Sequence, residues 1–150
     1  MKEKDKIIKE LNKFLTGINM AYDTFKTYEE KVNDKNLKNE FTKVLNTFAS
    51  QKKSINSYIT DLDHDAKESM GIDAKVSEIF QKMKDMFMHE DKDIVNHALK
   101  NMERGITSSE RVVLSLQKMT SNEDIINSLN NIVDEFKNIS DNFQRIYESM

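Results

Sequence analysis

Residues 65–90, DAKESMGIDAKVSEIFQKMKDMFMHE, lie between two stretches of the chain that each carry a pair of long helical patterns. Connections between helices in bundles usually take about 2 to 8 residues, so this segment is far longer than a hairpin turn. Its apolar residues predict one short helix through Val76, Ile79, Phe80, Met83 and Phe87. Such a link can return along most of a long helix, about 42 Å for 28 residues. We therefore expect the second and third long helices to be parallel.

Two of the long helical patterns precede this segment. Residues 4–33 present an apolar face, with Glu29 in one skipped place, through Ile7, Leu11, Leu15, Ile18, Tyr22, Phe25 and Val32. The second helix is expected after an N-cap at Asp34 or Asn36, with Gln51 in its skipped place, through Leu37, Phe41, Val44, Phe48, Ile55, Ile59 and Leu62. Because the turn between them is short, the two helices are expected to be antiparallel neighbours.

The other two long patterns follow the segment. The third helix is predicted over residues 91–119, through Val95, Ala98, Met102, Ile106, Ser109, Val113 and Leu116. The fourth is predicted over residues 122–147, through Ile125, Leu129, Ile132, Phe136, Ile139, Phe143 and Ile146. At their tight junction Ser121 is followed three residues later by Asp124, which predicts a capping box.

The order of these patterns predicts an all-α fold. Two antiparallel hairpins joined by one long crossover have the connectivity of ferritin-like bundles. We therefore expect a single domain over residues 1–150, a ferritin-like four-helix bundle whose long crossover contains an extra short helix. A short helix folded back across one end of the bundle would also satisfy the pattern.

The composition agrees with a helical protein and excludes several classes of site. The chain has three Gly and no Pro, whereas a β-sandwich or barrel needs frequent turns built from these residues. It has no Cys, so disulfides, thiolate nucleophiles and Cys-type zinc or iron-sulfur sites are excluded. The absence of Cys fits a reducing compartment, and we expect a cytoplasmic protein.

The charge pattern bears on the partners of the protein. Only Arg104, Arg111 and Arg145 carry the forked donors favoured for phosphate and guanine, so nucleic acid is not expected as a partner. The opening residues mix charged and apolar side chains, and we expect no export signal. The longest apolar run is short, as at residues 112–114, and predicts no membrane span.

A ferritin-like bundle with two metal ions places Glu and Glu-x-x-His ligands near its middle. The midpoints of the four predicted helices are Ile18, Phe48, Met102 and Phe136, and the positions one turn after the second and fourth are Gln51 and Ile139. None of these is a carboxylate or an imidazole, which are the ligands that iron or manganese needs. We therefore predict no metal site, no cofactor and no catalytic residue.

The segment LNKFLTGINMAYDTF, residues 11–25, resembles the first helix of an uncharacterised bacterial domain family in the ferritin-like superfamily. Its matches to the family pattern are Leu11, Asn12, Leu15, Gly17 and Ala21. The departures fall on metal ligands, since Ile18 stands at the Glu of the family, and Phe48 and Gln51 stand at its two His. Residues 98–102 are similar to the family's Ala-Leu-x-Gly-Glu segment, but Met102 replaces the Glu. The resemblance implies the fold and no characterised activity.

The histidines do not predict a metal site. His64 follows Asp61 and His97 follows Asp93 at helical spacing, yet helix dipoles explain both pairs. In the parallel arrangement the two pairs would lie at opposite ends of the bundle and could not share a metal ion. His89 is expected to be solvated.

Three further features have structural explanations. The cluster Met83, Met86 and Met88 is explained by core filling, although Met88 projects away from the apolar stripe and would need burial by a partner or a second copy. Gly105 and Ser109 predict a close approach between helices, or a dimer contact. The hydroxyls of residues 107–109 lack a base at helical spacing, so no nucleophile is predicted.

Two functions remain open at this point. The first is a non-enzymatic bundle that acts through a protein partner or a homo-oligomer, with no small-molecule substrate. The alternative is a protein that binds iron or manganese through non-standard ligands such as Glu40, Glu103 or Asp134. A third, weaker possibility is a membrane-surface protein, but the apolar stripes are better used against one another.

Overall fold

The computed structural model of the chain describes residues 2–63, 90–119 and 122–150. These residues form four α-helices: α1 (Glu3–Lys31), α2 (Lys35–Leu62), α3 (Asp91–Met119) and α4 (Glu123–Ser149). The bounds agree with the four predicted long helices to within a few residues. The short helix predicted within the crossover lies outside the described residues, as do Gly71, His64, His89 and the cluster of Met83, Met86 and Met88.

At two of the helix starts, a side-chain cap explains why the helix begins there. The Asp34 carboxylate accepts a hydrogen bond from the backbone N–H of Leu37 at 2.8 Å, which confirms Asp34 as one of the two predicted caps of α2. At α4 the cap is Asn122, whose side-chain oxygen accepts from the backbone N–H groups of Asp124 and Ile125. The capping box predicted from Ser121 falls on a residue outside the described ones, and the described cap of this helix is Asn122.

Contacts between the helix ends establish the topology. The Asp91 carboxylate at the start of α3 accepts hydrogen bonds from the backbone N–H groups of Asn33 and Asp34, each at 2.9 Å. The start of α3 therefore lies beside the turn that joins α1 to α2. Because α2 and α3 both begin at this end of the bundle, they are parallel, and residues 64–89 join two points at opposite ends. The predicted crossover connectivity is confirmed.

Side-chain contacts along α4 agree with this arrangement. The Tyr58 hydroxyl near the end of α2 hydrogen-bonds the Ser128 hydroxyl near the start of α4. At the other end, the Asn142 amide donates to the Glu40 carboxylate at 3.1 Å. Since the end of one helix lies beside the start of the other, α2 and α4 are antiparallel. The fold is an all-α ferritin-like four-helix bundle.

The core largely follows the predicted apolar faces, and on α1 it also includes Phe14 and Tyr28. The predicted stripe skipped a turn at Glu29, but the side chain that completes it is Tyr28, which is fully buried. Glu29 instead lies beside α2, where its carboxylate accepts from the Thr42 hydroxyl at 2.7 Å.

None of the described helices carries an apolar stretch long enough to cross a lipid bilayer.

The contact made by Asp91 gives a prediction about stability. Replacing Asp91 by Ala leaves two backbone N–H groups of the α1–α2 turn without their charged acceptor, so the free energy of unfolding should fall by about 1 to 3 kcal/mol. Urea denaturation followed by circular dichroism measures this change. Asp93→Ala is the matched control, because Asp93 is exposed in the same first turn. Equal effects of the two substitutions would contradict the role assigned to Asp91.

Candidate functional site

The centre of the bundle is apolar where a ferritin-like protein would bind metal. Ile18, Phe48, Met102 and Phe136 are all buried there, with at most 5% of each residue exposed. Each of the four helices contributes one of them. Aliphatic and phenyl groups offer no lone pair to a hard cation. The residues at these positions therefore do not fit a di-metal centre.

Aromatic rings continue this apolar region along the bundle. The Phe25 ring of α1 packs edge-to-face against Phe48 of α2 at 5.4 Å between ring centres and against Phe143 of α4 at 6.2 Å. Phe41 of α2 packs against Phe143 at 4.8 Å, and Phe48 packs against Phe136 at 6.0 Å. These rings fill the space between α2 and α4.

Gln51 is the polar exception in this region. Its residue is 3% exposed, and neither the nitrogen nor the oxygen of its amide has a hydrogen-bond partner among the described residues. The sequence analysis placed Gln51 on the buried face of α2, and the structure confirms that placement. An amide is a poor substitute for the imidazole that the family resemblance implies here, because the lone pair of its nitrogen is delocalised into the carbonyl group and is not available to a metal ion.

The unpartnered amide predicts a stabilising substitution. Gln51→Met removes both unsatisfied atoms and keeps an unbranched side chain of similar length, so the free energy of unfolding should rise by about 1 to 3 kcal/mol. Chemical denaturation gives the value. Gln117→Met on the exposed surface of α3 is the control and should change stability little. A loss of stability in Gln51→Met alone would show that the amide has a partner.

A polar cluster between α1 and α3 was not predicted. The buried Tyr28 hydroxyl hydrogen-bonds Nδ1 of His97 and accepts from the Asn101 amide. The same amide lies 3.2 Å from His97 Nδ1. The sequence analysis assigned His97 to the helix dipole alone and passed over Tyr28. Tyr28 lies three residues after Phe25, and this helical spacing was the signal that Tyr28 shares the apolar stripe of α1.

Both titratable members of this cluster are shifted by their surroundings. Burial raises the pKa of the Tyr28 phenol, and the Asn101 hydrogen bond opposes this shift. Burial lowers the pKa of His97, and the positive charges of Arg104 and Lys100 lower it further. His97 is therefore held as the neutral imidazole, whose unprotonated Nδ1 can accept the Tyr28 proton.

The lowered pKa of His97 gives a pH prediction with a defined sign. Between its folded and unfolded pKa values, His97 binds more protons in the unfolded chain, so its contribution to stability is full above about pH 6.5 and is lost as the pH falls through the folded value. Denaturation at pH 7 and pH 5 should show this loss. In His97→Asn, whose amide oxygen still accepts from Tyr28, the loss should be smaller. If His97→Asn loses as much stability between pH 7 and pH 5 as the wild-type protein, the role assigned to His97 is contradicted.

A cavity of about 370 Å³ opens between α1 and α3. Gly17 and Gly105 lie on its walls, and an added methyl group at either glycine would meet no described atom within 4 Å. Among the described residues, the close helix approach predicted at Gly105 is not made, and the dimer contact given as its alternative stays a prediction. Neither glycine has a positive φ that would require the residue.

The hydroxyls and carboxylates singled out in the sequence do not form a site. The Thr107 hydroxyl donates to the Glu103 carbonyl at 3.1 Å within its own helix. Glu103 and Asp134 are exposed, and Glu40 binds Asn142. No group of three or more His, Cys, Asp or Glu side chains among the described residues is placed to hold a metal ion.

The fold and the family of the chain are shown by comparison with known proteins. A two-domain protein from Anabaena variabilis, containing DJ-1/ThiJ/PfpI-like and ferritin-like domains, aligns with a TM-score of 0.78 at 18% identity. The alignment covers 97% of this chain and 40% of that one, so this chain spans well under half of the two-domain protein. A ferritin-like, diiron-carboxylate protein from Bacillus anthracis aligns with a TM-score of 0.72 at 12% identity, covering 98% of this chain and 99% of the other.

The sequence comparison adds the family. The chain belongs to the family described as Domain of unknown function (DUF2383), whose sequence profile matches residues 6–115. The comparison with curated protein sequences gave no match. The resemblance to an uncharacterised ferritin-like family is therefore confirmed, and the structural likenesses, at these identities, show the fold alone.

Proposed function

We propose that the protein is a non-enzymatic, ferritin-like bundle of the cytoplasm that acts by binding a protein partner, in the first place a second copy of itself. The observation that supports this proposal most is the apolar centre of the bundle. Ile18, Phe48, Met102 and Phe136 leave no donor at the level where related folds carry out metal chemistry. The function is then carried by the outer surface.

The face formed by α3 and α4 is the best candidate for self-association. Leu114 on this face is 58% exposed, the highest value among the described large hydrophobic residues. It borders a shallow depression of about 160 Å³ whose walls include Val113 and Val133. The depression also has polar walls at Glu110, Gln117 and Asn130, so a second copy could place its Leu114 against Val113 and Val133, as a twofold dimer requires. The ion pair between Lys137 and Glu110, at 3.7 Å, lies across the same two helices.

The structural neighbours support a role in binding. In the Anabaena variabilis protein, a bundle of this fold is joined to a DJ-1/ThiJ/PfpI-like domain. A ferritin-like bundle can thus be part of a larger protein whose other domain is of a different class. By analogy, we propose that the present bundle works by contact with another protein surface.

The proposal predicts a dimer that depends on Leu114. Leu114→Glu places a charge in the contact, so the mass measured by light scattering should fall from dimer to monomer, with the helical content unchanged. Asn138→Glu is the matched control, since Asn138 is exposed on α4. A wild-type protein that stays monomeric at high concentration would refute self-association and leave only a different protein as partner.

Metal loading tests the non-enzymatic half of the proposal and its alternative. The purified protein is incubated anaerobically with Fe²⁺ or Mn²⁺, dialysed, and analysed for metal. We expect no stoichiometric retention, because the described carboxylates do not converge. Stoichiometric retention would favour the alternative function, a metal-binding protein with non-standard ligands. In that case, Glu40, Glu103 and Asp134 would be substituted one at a time, and a variant that no longer retains the metal would identify a metal ligand.

A further inference from the structure

We infer that the cavity between α1 and α3 is a binding site for a linear amphiphile with one negative charge, of the chemical class of a medium-chain carboxylate. This site is independent of the proposed self-association, which uses the face formed by α3 and α4. The inference stands on three observations: the glycines that keep the cavity open, its apolar floor, and the cation at its edge.

Nothing in the described part of the fold requires a glycine at either position. A glycine in a helix interior costs stability relative to alanine, and both Gly17 and Gly105 stand in the middle of long helices. A positive φ or a close contact between backbones would explain such a cost, but neither glycine shows one. What they share is the cavity, which both of them line. Larger side chains at these two positions would occupy it.

The floor of the cavity matches an acyl chain. The partly exposed apolar side chains in its lining are Met20, Ala21 and Val112, and the lining also includes the almost fully buried Phe14, Phe25, Phe48, Met102 and Phe136. Its volume of about 370 Å³ falls at the lower end of the range for small-molecule sites, roughly 300 to 1,000 Å³. The lining extends over residues 13–25 of α1 and 101–112 of α3. At 1.5 Å per residue these stretches run for about 17 Å, which suits a linear ligand better than a compact one.

The edge of the cavity favours a negative charge. Arg104 lines it, is exposed, and forms no hydrogen bond or ion pair with another described side chain. Ser108 stands one turn further along α3 and also lines the cavity. A guanidinium binds a carboxylate through two parallel hydrogen bonds, and the hydroxyl can donate a third. Lys13, the other cation at the edge, is already paired with Glu10 at 2.8 Å, so Arg104 is the residue expected to hold the carboxylate.

Equilibrium dialysis of the full-length protein with labelled decanoate, kept below its aggregation concentration, tests the site. Labelled 1-decanol is the uncharged probe of the same length. We expect saturable binding of decanoate at one equivalent. Absence of saturable binding, or binding of many weak equivalents, would overturn the inference.

Variants of the walls locate the bound probe. Gly105→Leu should weaken decanoate binding by about tenfold or more, because its side chain fills space that the acyl chain needs. Gly105→Ala adds only one carbon in open space and should leave binding within about threefold while raising the stability of the helix. Gly17→Leu repeats the test from the facing helix, and circular dichroism confirms folding. Unchanged affinity in a folded leucine variant would overturn the assignment.

Variants of the edge separate charge recognition from apolar burial. Arg104→Gln should weaken decanoate binding by about tenfold, the loss expected for a hydrogen-bonded charge pair, and leave decanol binding unchanged. Arg111→Gln is the control, since Arg111 is exposed on the same helix and does not line the cavity. Equal effects of the two substitutions on decanoate, or equal losses for decanoate and decanol, would overturn the role of Arg104.

Discussion

The aromatic rings packed edge-to-face between the helices are the constraint on which the other features of the bundle depend. Phe25 of α1 reaches Phe48 of α2 and Phe143 of α4, and Phe48 in turn reaches Phe136. Rings of this size bury a large apolar area and keep the helices that they separate from closing on one another. Because they occupy the cross-section where a ferritin-like protein would place polar ligands, they decide which chemistry the fold can support here.

The same rings explain where the bundle is imperfect. Phe25, Phe48 and Phe136 also line the gap between α1 and α3, where two glycines contribute no side chain. The result is open space above Phe14 and Met102. One turn from Phe48, Gln51 keeps a buried amide without a partner among the described residues. A well-packed apolar core rarely retains an open space or an unpartnered amide. Both therefore mark places where this chain departs from its most stable packing.

Much of the fold could be predicted from the sequence, and the reasons are local. Amphipathic spacing indicated the four long helices, and the length of residues 65–90 indicated the parallel arrangement that the Asp91 contact confirms. The burial of Tyr28 was missed because it depends on which of two adjacent residues, Tyr28 or Glu29, turns inward. The cavity at Gly105 could not be foreseen. A small residue in a helix is compatible with a close approach of a neighbouring helix and with an open space beside it. Only the position of the neighbouring helix distinguishes the two. The single-domain organisation and the compartment remain predictions.

The burial of Tyr28 also limits the stability of the folded bundle at alkaline pH. Because the folded bundle raises the pKa of this phenol, the stability that Tyr28 contributes is present below about pH 10, where the unfolded phenol ionises, and is lost as the pH rises toward the folded value. The chain has no tryptophan and four tyrosines, so its near-ultraviolet absorbance reports tyrosine ionisation directly. Because a phenolate would be poorly solvated at this buried position, we expect Tyr28 to ionise together with the opening of α1 from α3.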